Sequence, residues 1–124
     1  DFCMMNSVFT HLDPVDSKHY LKEVNRILKP GGRLWSSRFI LNSECRRLIK
    51  EGESRFNFVV GEGPDYFESE SRSLIAVAYE ESFVKNEIES AGFRIISADF
   101  GSWRGAARTG PVQSVDQDVI ICAS

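Results

Sequence analysis

The stretch that decides the fold is YLKEVNRILKPGGRL, residues 20–34. Within it, Leu21, Val24 and Leu28 recur at helical spacing and form one apolar stripe, with charged side chains between them. The PGG that follows ends the helix, because proline cannot continue it and glycine tolerates the left-handed backbone beyond the last turn. Next, Arg33–Leu41 places apolar side chains on both faces, which is typical of a strand covered on each side. The stretch therefore predicts a helix that ends near Lys29 and a buried strand after it.

Upstream, the sequence predicts the start of this helix and an earlier strand. Asp13 can cap the free backbone N–H groups of the first turn, and Pro14 suits the first helical position. Before them, Phe2–Met5 is an apolar run of strand length. Strand, helix and strand together predict a β-α-β unit and hence an α/β fold.

Downstream, the pattern predicts further elements around an irregular segment. Residues 51–78 contain scattered glycines and many Ser and Glu residues, so we expect one domain over 1–124 with 51–78 as an irregular insert or lid. Within it, residues 56–60 and 74–78 are strand-like and could form a hairpin. The other predicted elements are a short helix over Asn42–Lys50, a helix over Tyr79–Ala91, a strand over Phe93–Phe100, a loop over 106–115 and a strand over Gln117–Cys122.

Composition excludes several classes of function. The net charge is −3 and the basic residues are scattered, which argues against a nucleic-acid binder. No apolar run approaches the roughly 20 residues that cross a bilayer, so we expect no membrane association. The three cysteines lie far apart without the spacing of a metal site or a disulfide framework. We therefore expect no bound metal and a cytoplasmic location.

Two groups of residues resemble class I, Rossmann-like S-adenosylmethionine-dependent methyltransferases. The first is SVFTHL at residues 7–12, followed by the helix with its LKPGG end at residues 28–32. The second is YEE at 79–81, AGF at 91–93, GSW at 101–103 and QDV at 117–119, which resembles one subgroup of small-molecule methyltransferases. The resemblance implies the C-terminal half of that fold only. It would hold the equivalents of strands four to seven with flanking helices, the last strand running antiparallel between the fifth and sixth.

The Gly-rich loop that binds the cofactor in this family has no counterpart in the chain. The sequence GEG at residues 61–63 lies in the insert, not between a strand and a helix. S-adenosylmethionine is the cofactor of the complete family domain, and we expect this chain alone to bind none and to be inactive. The alternative is a non-enzymatic half-domain α/β protein that acts through oligomerisation or partner binding.

The resemblance also implies site residues. The cofactor-binding candidates, which border its methionine end in the family, are Asn6, Ser7, Val8 and Phe9. His11 is the candidate catalytic base, since histidine is the side chain most often used for proton transfer, although it could instead pack at the start of the helix. The candidate substrate-binding residues are Arg38, Trp103 and Arg104. Two alternatives stay open: Trp103 could cover the core, and Arg38 could pair with Glu44 or Asp13.

Two further expectations concern a thiol and the first strand. Cys45 lies beside Arg46 and Arg47, which would lower its pKa, but no His or carboxylate arrangement makes it a nucleophile. The strand Phe2–Met5 would form an open sheet edge, which invites pairing with another chain. We therefore expect a homodimer formed through the first strand or through an uncovered face of the sheet.

Overall fold

The computed structural model describes residues 1–105 and 117–124, so the predicted loop over 106–115 lies outside the described residues. The strands are β1 (Phe2–Met5), β2 (Arg33–Arg38), β3 (Ile40–Leu41), β4 (Asp65–Tyr66), β5 (Ala78–Glu80), β6 (Arg94–Asp99) and β7 (Asp118–Ala123). The helices are α1 (Pro14–Ile27), α2 (Ser43–Lys50) and α3 (Glu81–Ser90), with 3₁₀ turns at Phe9–His11 and Ser102–Arg104. Among the described residues, each helix is too short or too polar to cross a bilayer.

The main sheet has four strands in the order β1-β2-β7-β6. β1 runs parallel to β2, and β7 runs antiparallel to both of its neighbours. The last strand therefore inserts between two earlier ones in the orientation that the sequence predicted. The predicted α/β fold class is confirmed, because the described helices alternate with strands of a mixed sheet.

Local signals place α1 as the sequence predicted. Asp13 Oδ1 accepts the N–H of Asp16 at 2.8 Å, which satisfies one of the first-turn donors. The helix ends at Ile27, two residues before the predicted end, and Gly31 follows with φ +81°. That backbone conformation strains any residue with a Cβ, so the glycine is required at this turn.

The two faces of the main sheet have different surroundings. We call the face that packs beneath α1 and α3 the inner face. Its side chains join the main hydrophobic core and are Cys3, Met5, Leu34, Ile120 and Cys122. We call the opposite face the outer face, and its apolar side chains are Phe2, Met4, Trp35, Val119 and Ile121. Strand alternation separates the two sets, since successive side chains point to opposite faces.

The continuous strand predicted over Arg33–Leu41 is wrong. β2 ends at Arg38, and β3 leaves to form a second sheet in the order β3-β5-β4. The cause is a change of backbone partners around Phe39, whose carbonyl accepts the N–H of Tyr79 at 2.9 Å. One residue later, the N–H of Ile40 donates to Asp118 Oδ2 at 2.7 Å. The chain therefore leaves the main sheet without leaving either group unpaired.

The predicted hairpin between residues 56–60 and 74–78 is also wrong. β5 pairs antiparallel with β4, and residue 60 bridges to residue 67. α3 begins at Glu81 rather than at Tyr79, because Tyr79 belongs to β5 and its hydroxyl donates to the carbonyl of Leu12. Side chains within 51–78 reach the core, notably Phe58, Phe67 and Val77. The description of this segment as an insert or lid stays a prediction.

Candidate functional site

Polar side chains meet where β1 ends. Ser7 has a left-handed backbone, with φ +58°, and its N–H donates to Ser37 Oγ at 2.7 Å. Ser37 Oγ in turn donates to Asn6 Oδ1 at 3.0 Å. Across the gap, Gln117 Nε2 donates to Ser7 Oγ at 2.7 Å. The turn after β1 is therefore held from two directions, by β2 and by the residue before β7.

Sequence reasoning missed Ser37 and Gln117. Ser37 lies near the end of β2, and the carboxyl ends of adjacent parallel strands meet at one edge of the sheet. That rule could have placed Ser37 beside Asn6. The contact of Gln117 spans 110 residues, so only the position of β7 brings it to Ser7.

The four predicted cofactor-binding residues have different exposures. Asn6 is exposed, and Ser7 and Val8 are half-buried. Phe9 is fully buried, with its ring under the guanidinium of Arg38 at 3.7 Å. Three of the four therefore reach the surface of the turn, and Phe9 anchors it from inside. Their role toward a cofactor stays a prediction.

His11 is exposed and bonds to the segment that was predicted as a lid. Its Nδ1 lies 2.9 Å from the carbonyl oxygen of Leu74. A carbonyl can only accept, so in this contact Nδ1 carries the hydrogen and Nε2 of the neutral ring keeps a free lone pair. That tautomer is the one a base at Nε2 would need. The catalytic role of His11 stays a prediction.

Arg38 lies inside the protein. Its Nη1 pairs with Glu87 Oε1 at 2.6 Å, rather than with Glu44 or Asp13. Ser17 also donates to this carboxylate, at 2.9 and 3.0 Å to its two oxygens. Burial lowers the pKa of Arg38, and the carboxylate of Glu87 opposes this shift. Its Nε and Nη2 are buried, and no residue of the ranges 1–105 and 117–124 forms a hydrogen bond with them.

Trp103 and Arg104 also lie in the interior. Trp103 is fully buried against aromatic rings, and its Nε1 donates to Asp118 Oδ1 at 3.0 Å. The guanidinium of Arg104 donates to the carbonyl of Ile40 at 2.7 Å and to Asn42 Oδ1 at 3.2 Å. Trp103 thus covers the core, the alternative that the sequence left open. A role for Arg38, Trp103 or Arg104 toward a substrate stays a prediction.

The expectation for the thiol of Cys45 is wrong. Burial raises its pKa to about 11, while the nearby charges of Arg104 and Arg46 pull the other way. Cys122 behaves alike, with a pKa raised to about 11 by burial and opposed by Arg38. Both thiols are therefore protonated at neutral pH, and desolvation outweighs the neighbouring cations.

A groove of about 250 Å³ lies between α1 and α3. Its lining includes Lys18, Lys22 and Phe83, and none of the predicted site residues contributes to it. The volume falls below the roughly 300–1,000 Å³ of typical ligand pockets. The polar turn after β1 is therefore the better candidate site.

The known proteins that this chain resembles are described as methyltransferases. A family model described as a methyltransferase domain matches residues 1–36, which contain β1, α1 and the start of β2. A SAM-dependent methyltransferase from Methanosarcina mazei is 19% identical, with a TM-score of 0.58, and the match covers 100% of this chain and 58% of that one. One from Mesorhizobium loti is 15% identical, with a TM-score of 0.56, covering 100% and 61%.

A third match carries a bound cofactor product. It is the glycopeptide N-methyltransferase MtfA complexed with S-adenosyl-L-homocysteine, 16% identical, with a TM-score of 0.56, covering 98% of this chain and 53% of that one. The chain thus spans less than two thirds of each of these three proteins. The resemblance to class I S-adenosylmethionine-dependent methyltransferases and the partial methyltransferase fold are confirmed.

Proposed function

We propose that this chain is the C-terminal portion of a small-molecule S-adenosylmethionine-dependent methyltransferase, with no transferase activity of its own. The methyltransferase-domain match over residues 1–36 and the order of the main sheet support this proposal. We also propose a cytoplasmic location, which the three free cysteines favour. The acceptor would be a small molecule rather than a nucleic acid, in keeping with the net charge of −3.

The observation that carries the proposal is the held turn at Ser7. A non-glycine residue with φ +58° is uncommon, and such backbones concentrate at functional sites where neighbouring contacts hold them. Here the N–H and the hydroxyl of Ser7 are both bonded, and its carbonyl accepts from Thr10 at 2.9 Å. Asn6 is left exposed at a defined position. This turn would border the methionine end of the cofactor.

A preorganised turn of this kind suits methyl transfer. The sulfonium methyl and the acceptor must be held in line, so positioning supplies much of the rate. A base is needed only where the acceptor loses a proton, and His11 could then use its free Nε2. S-adenosylmethionine would supply the methyl group when bound.

We expect no transferase activity because this chain does not contain the Gly-rich backbone turn that would bind the cofactor. In α/β folds a Gly-rich turn and a helix N-terminus let backbone N–H groups approach the ligand. The chain has no G-x-G between a strand and a helix. The remaining candidate residues would contact the cofactor from one side only, and they are Asn6, Ser7 and Val8. We therefore expect no tight binding of the cofactor by this chain alone, and at most contact in the millimolar range.

An NMR titration of the ¹⁵N-labelled chain with S-adenosylhomocysteine tests both the position of the proposed site and the strength of cofactor binding. We expect amide shifts concentrated at Asn6, Ser7 and Val8, without saturation at micromolar ligand. Ser37→Ala, which removes the hydroxyl that holds the turn, should reduce these shifts. Ser90→Ala, an exposed change on α3, is the matched control and should not. Saturation at micromolar ligand would refute the expected lack of tight cofactor binding, and unshifted amides at this turn would refute the site.

The second candidate is the non-enzymatic half-domain that acts through oligomerisation or partner binding. It is favoured by the outer face, where Phe2 is 62% and Met4 61% exposed. Large apolar side chains grouped on one face usually mark an interaction surface. A chain that shows no shift at the Ser7 turn but associates in solution would support this candidate over the first.

A further inference from the structure

We propose that the backbone carbonyl of Leu74 is the positioning group for His11, and that His11 can act as a base at Nε2 only while residues 74–77 are docked on the 3₁₀ turn that contains it. We call residues 74–77 the docked segment. This inference rests on the proposed function, because it assigns a partner to the candidate base of that reaction. The contact that carries it joins His11 Nδ1 to the carbonyl oxygen of Leu74 at 2.9 Å, across 63 residues of chain.

The docked segment is fixed at one end by the core. Val77 is fully buried, and its N–H donates to the carbonyl of Thr10 at 2.9 Å. Thr10 is also buried, and its hydroxyl donates to the carbonyl of Ser7 at 2.9 Å. The docked segment therefore lies against the 3₁₀ turn that continues from the held turn at Ser7.

The other end of the docked segment is exposed. The side chains of Leu74 and Ile75 are 41% and 79% exposed, so little apolar packing holds them. Local bonds shape the chain here: Arg72 has a left-handed backbone, with φ +49°, and its N–H donates to the carbonyl of Ser69 at 3.0 Å. The N–H of Ile75 donates to Ser73 Oγ at 3.3 Å. A shaped turn thus presents the carbonyl of Leu74, and the bond from His11 joins this end to the 3₁₀ turn.

The bond decides which ring nitrogen can act as a base. A neutral histidine carries one ring hydrogen, and the hydrogen bond that one nitrogen makes sets where that hydrogen lies. Free in water, the side chain favours the hydrogen on Nε2, which leaves Nε2 unable to accept a proton. The carbonyl of Leu74 can only accept, so it draws the hydrogen to Nδ1 of His11 and frees Nε2. A carboxylate holds the histidine tautomer in the same way in Ser-His-Asp sites.

A carbonyl partner also suits the proton transfer itself. Nε2 of His11 would take the proton that an acceptor O–H or N–H group loses as its O or N atom bonds to the methyl carbon, while the sulfur keeps the electron pair of the bond that breaks. The ring then carries hydrogen on both nitrogens, and Nδ1 still donates to Leu74. The docked segment therefore keeps its contact with the base throughout the step.

The first test reads the tautomer from the ¹⁵N chemical shifts of the ring nitrogens, which differ strongly between a protonated and an unprotonated nitrogen. In the neutral ring of His11, we expect Nδ1 at the shift of a protonated nitrogen and Nε2 at that of an unprotonated one. His19, which is exposed on α1, is the internal comparison and should carry its hydrogen mainly on Nε2. A hydrogen mainly on Nε2 of His11 would overturn the proposal.

A backbone ester between Leu74 and Ile75 tests the carbonyl, because an ester carbonyl is a weaker acceptor than an amide carbonyl. This change should move the hydrogen of His11 toward Nε2, so that its ring shifts approach those of His19. The matched control is an ester between Ile75 and Ala76, which keeps the amide carbonyl of Leu74 and should leave the ring shifts of His11 unchanged. Equal shifts with both esters, or no shift with the first, would show that Leu74 does not set the tautomer.

Variants of His11 test the docking from the other side. His11→Ala removes the donor, so the amide of Ile75 should exchange its hydrogen several-fold faster. His11→Asn places an amide N–H donor near the position of Nδ1 and should restore slow exchange. Unchanged exchange in His11→Ala would refute the dependence of docking on this contact. These measurements need no cofactor, so this inference and the proposed function can fail separately.

Discussion

Arg38 and Arg104, which are both buried, are held in different ways. Arg104 and Asp118 lie in a junction where the carboxylate also accepts the N–H of Gly101 at 2.7 Å, that of Ile40 at 2.7 Å and Nε1 of Trp103 at 3.0 Å. Asp118 therefore accepts from backbone and side chains of two separate segments, at Ile40 and at residues 101–104.

Arg38 and Glu87 form a far simpler unit. Glu87 accepts only from Arg38 and Ser17 among the hydrogen bonds of the described residues, and two donors of Arg38 lack partners. A buried ion pair therefore matters more to the stability of the fold when other backbone and side-chain donors also bond to its carboxylate. Removing both charges should therefore destabilise the protein far more at Arg104 and Asp118 than at Arg38 and Glu87.

The largest expected effect is that of Asp118→Ala. It leaves the guanidinium of Arg104 buried without its carboxylate, which costs about 3–5 kcal/mol. The N–H groups of Gly101 and Ile40 also lose their acceptor. Urea unfolding followed by tryptophan fluorescence measures the loss. Glu70→Ala, at an exposed residue, is the control and should change stability by less than about 0.5 kcal/mol.

The second effect concerns the two buried thiols, Cys45 near Arg104 and Cys122 near Arg38. At pH 8, alkylation of Cys45 and Cys122 should be about 100-fold or more slower than that of an unfolded cysteine, because little thiolate forms. Mass spectrometry after timed labelling gives the rates, and denaturant should remove the difference. Rapid labelling of either thiol in the folded chain would contradict the burial that raises its pKa.

The same shifts predict a dependence of stability on pH. Each folded-state pKa is raised from 9.0 to about 11, so the protonated thiol favours the folded state. This contribution is complete below pH 9.0 and is lost as pH rises through about 11. The free energy of unfolding, measured as a function of pH, should change less over that interval in a Cys45→Ala, Cys122→Ala variant.

A smaller effect compares two helix caps. Asp13→Ala removes a cap alone and should cost about 1 kcal/mol. Asn42→Ala removes the acceptor for the N–H of Cys45 and also a partner of Arg104. We expect about 2 kcal/mol for it, because a bond to a charged donor is lost as well. Equal losses in thermal unfolding would show that Arg104 does not depend on Asn42.

The smallest effect is expected for the double replacement of the simpler pair. R38M/E87L removes both charges and should lie within about 1 kcal/mol of the unchanged chain, since apolar replacements of buried pairs are often neutral. The hydroxyl of Ser17 can turn to a carbonyl of its own helix. R104M/D118L should remain destabilised by about 3 kcal/mol, because the donors around Asp118 stay unpaired. Similar losses for the two double variants would refute the comparison.

Part of the fold could be predicted because its causes are local. The cap at Asp13 acts on Asp16, and the PGG end acts within one turn of α1. The break at Phe39 could not be predicted, since the acceptor for Ile40 is 78 residues away. The hairpin was misplaced for a similar reason: strand-like pieces do not reveal which partner they take until the sheet is assembled.

The candidate site also has features that the sequence could predict and others that it could not. Asn6 and Ser7 were predicted because the resemblance points to the residues after the first strand, and their role toward a cofactor stays a prediction. The pKa of Cys45 was misjudged because sequence neighbours reveal nearby charge but not desolvation, which dominates here. Glu87 was missed as the partner of Arg38 because α3 lies 49 residues further along the chain.

By itself, the sequence determined the β-α-β unit and the family resemblance, since periodicity, capping and motif spacing act over a few residues. Only the tertiary structure decided that Arg38 and Arg104 are buried and that Gln117 holds Ser7. Those features depend on segments far apart in the chain, and burial and pairing between them arise only when the sheet brings them together.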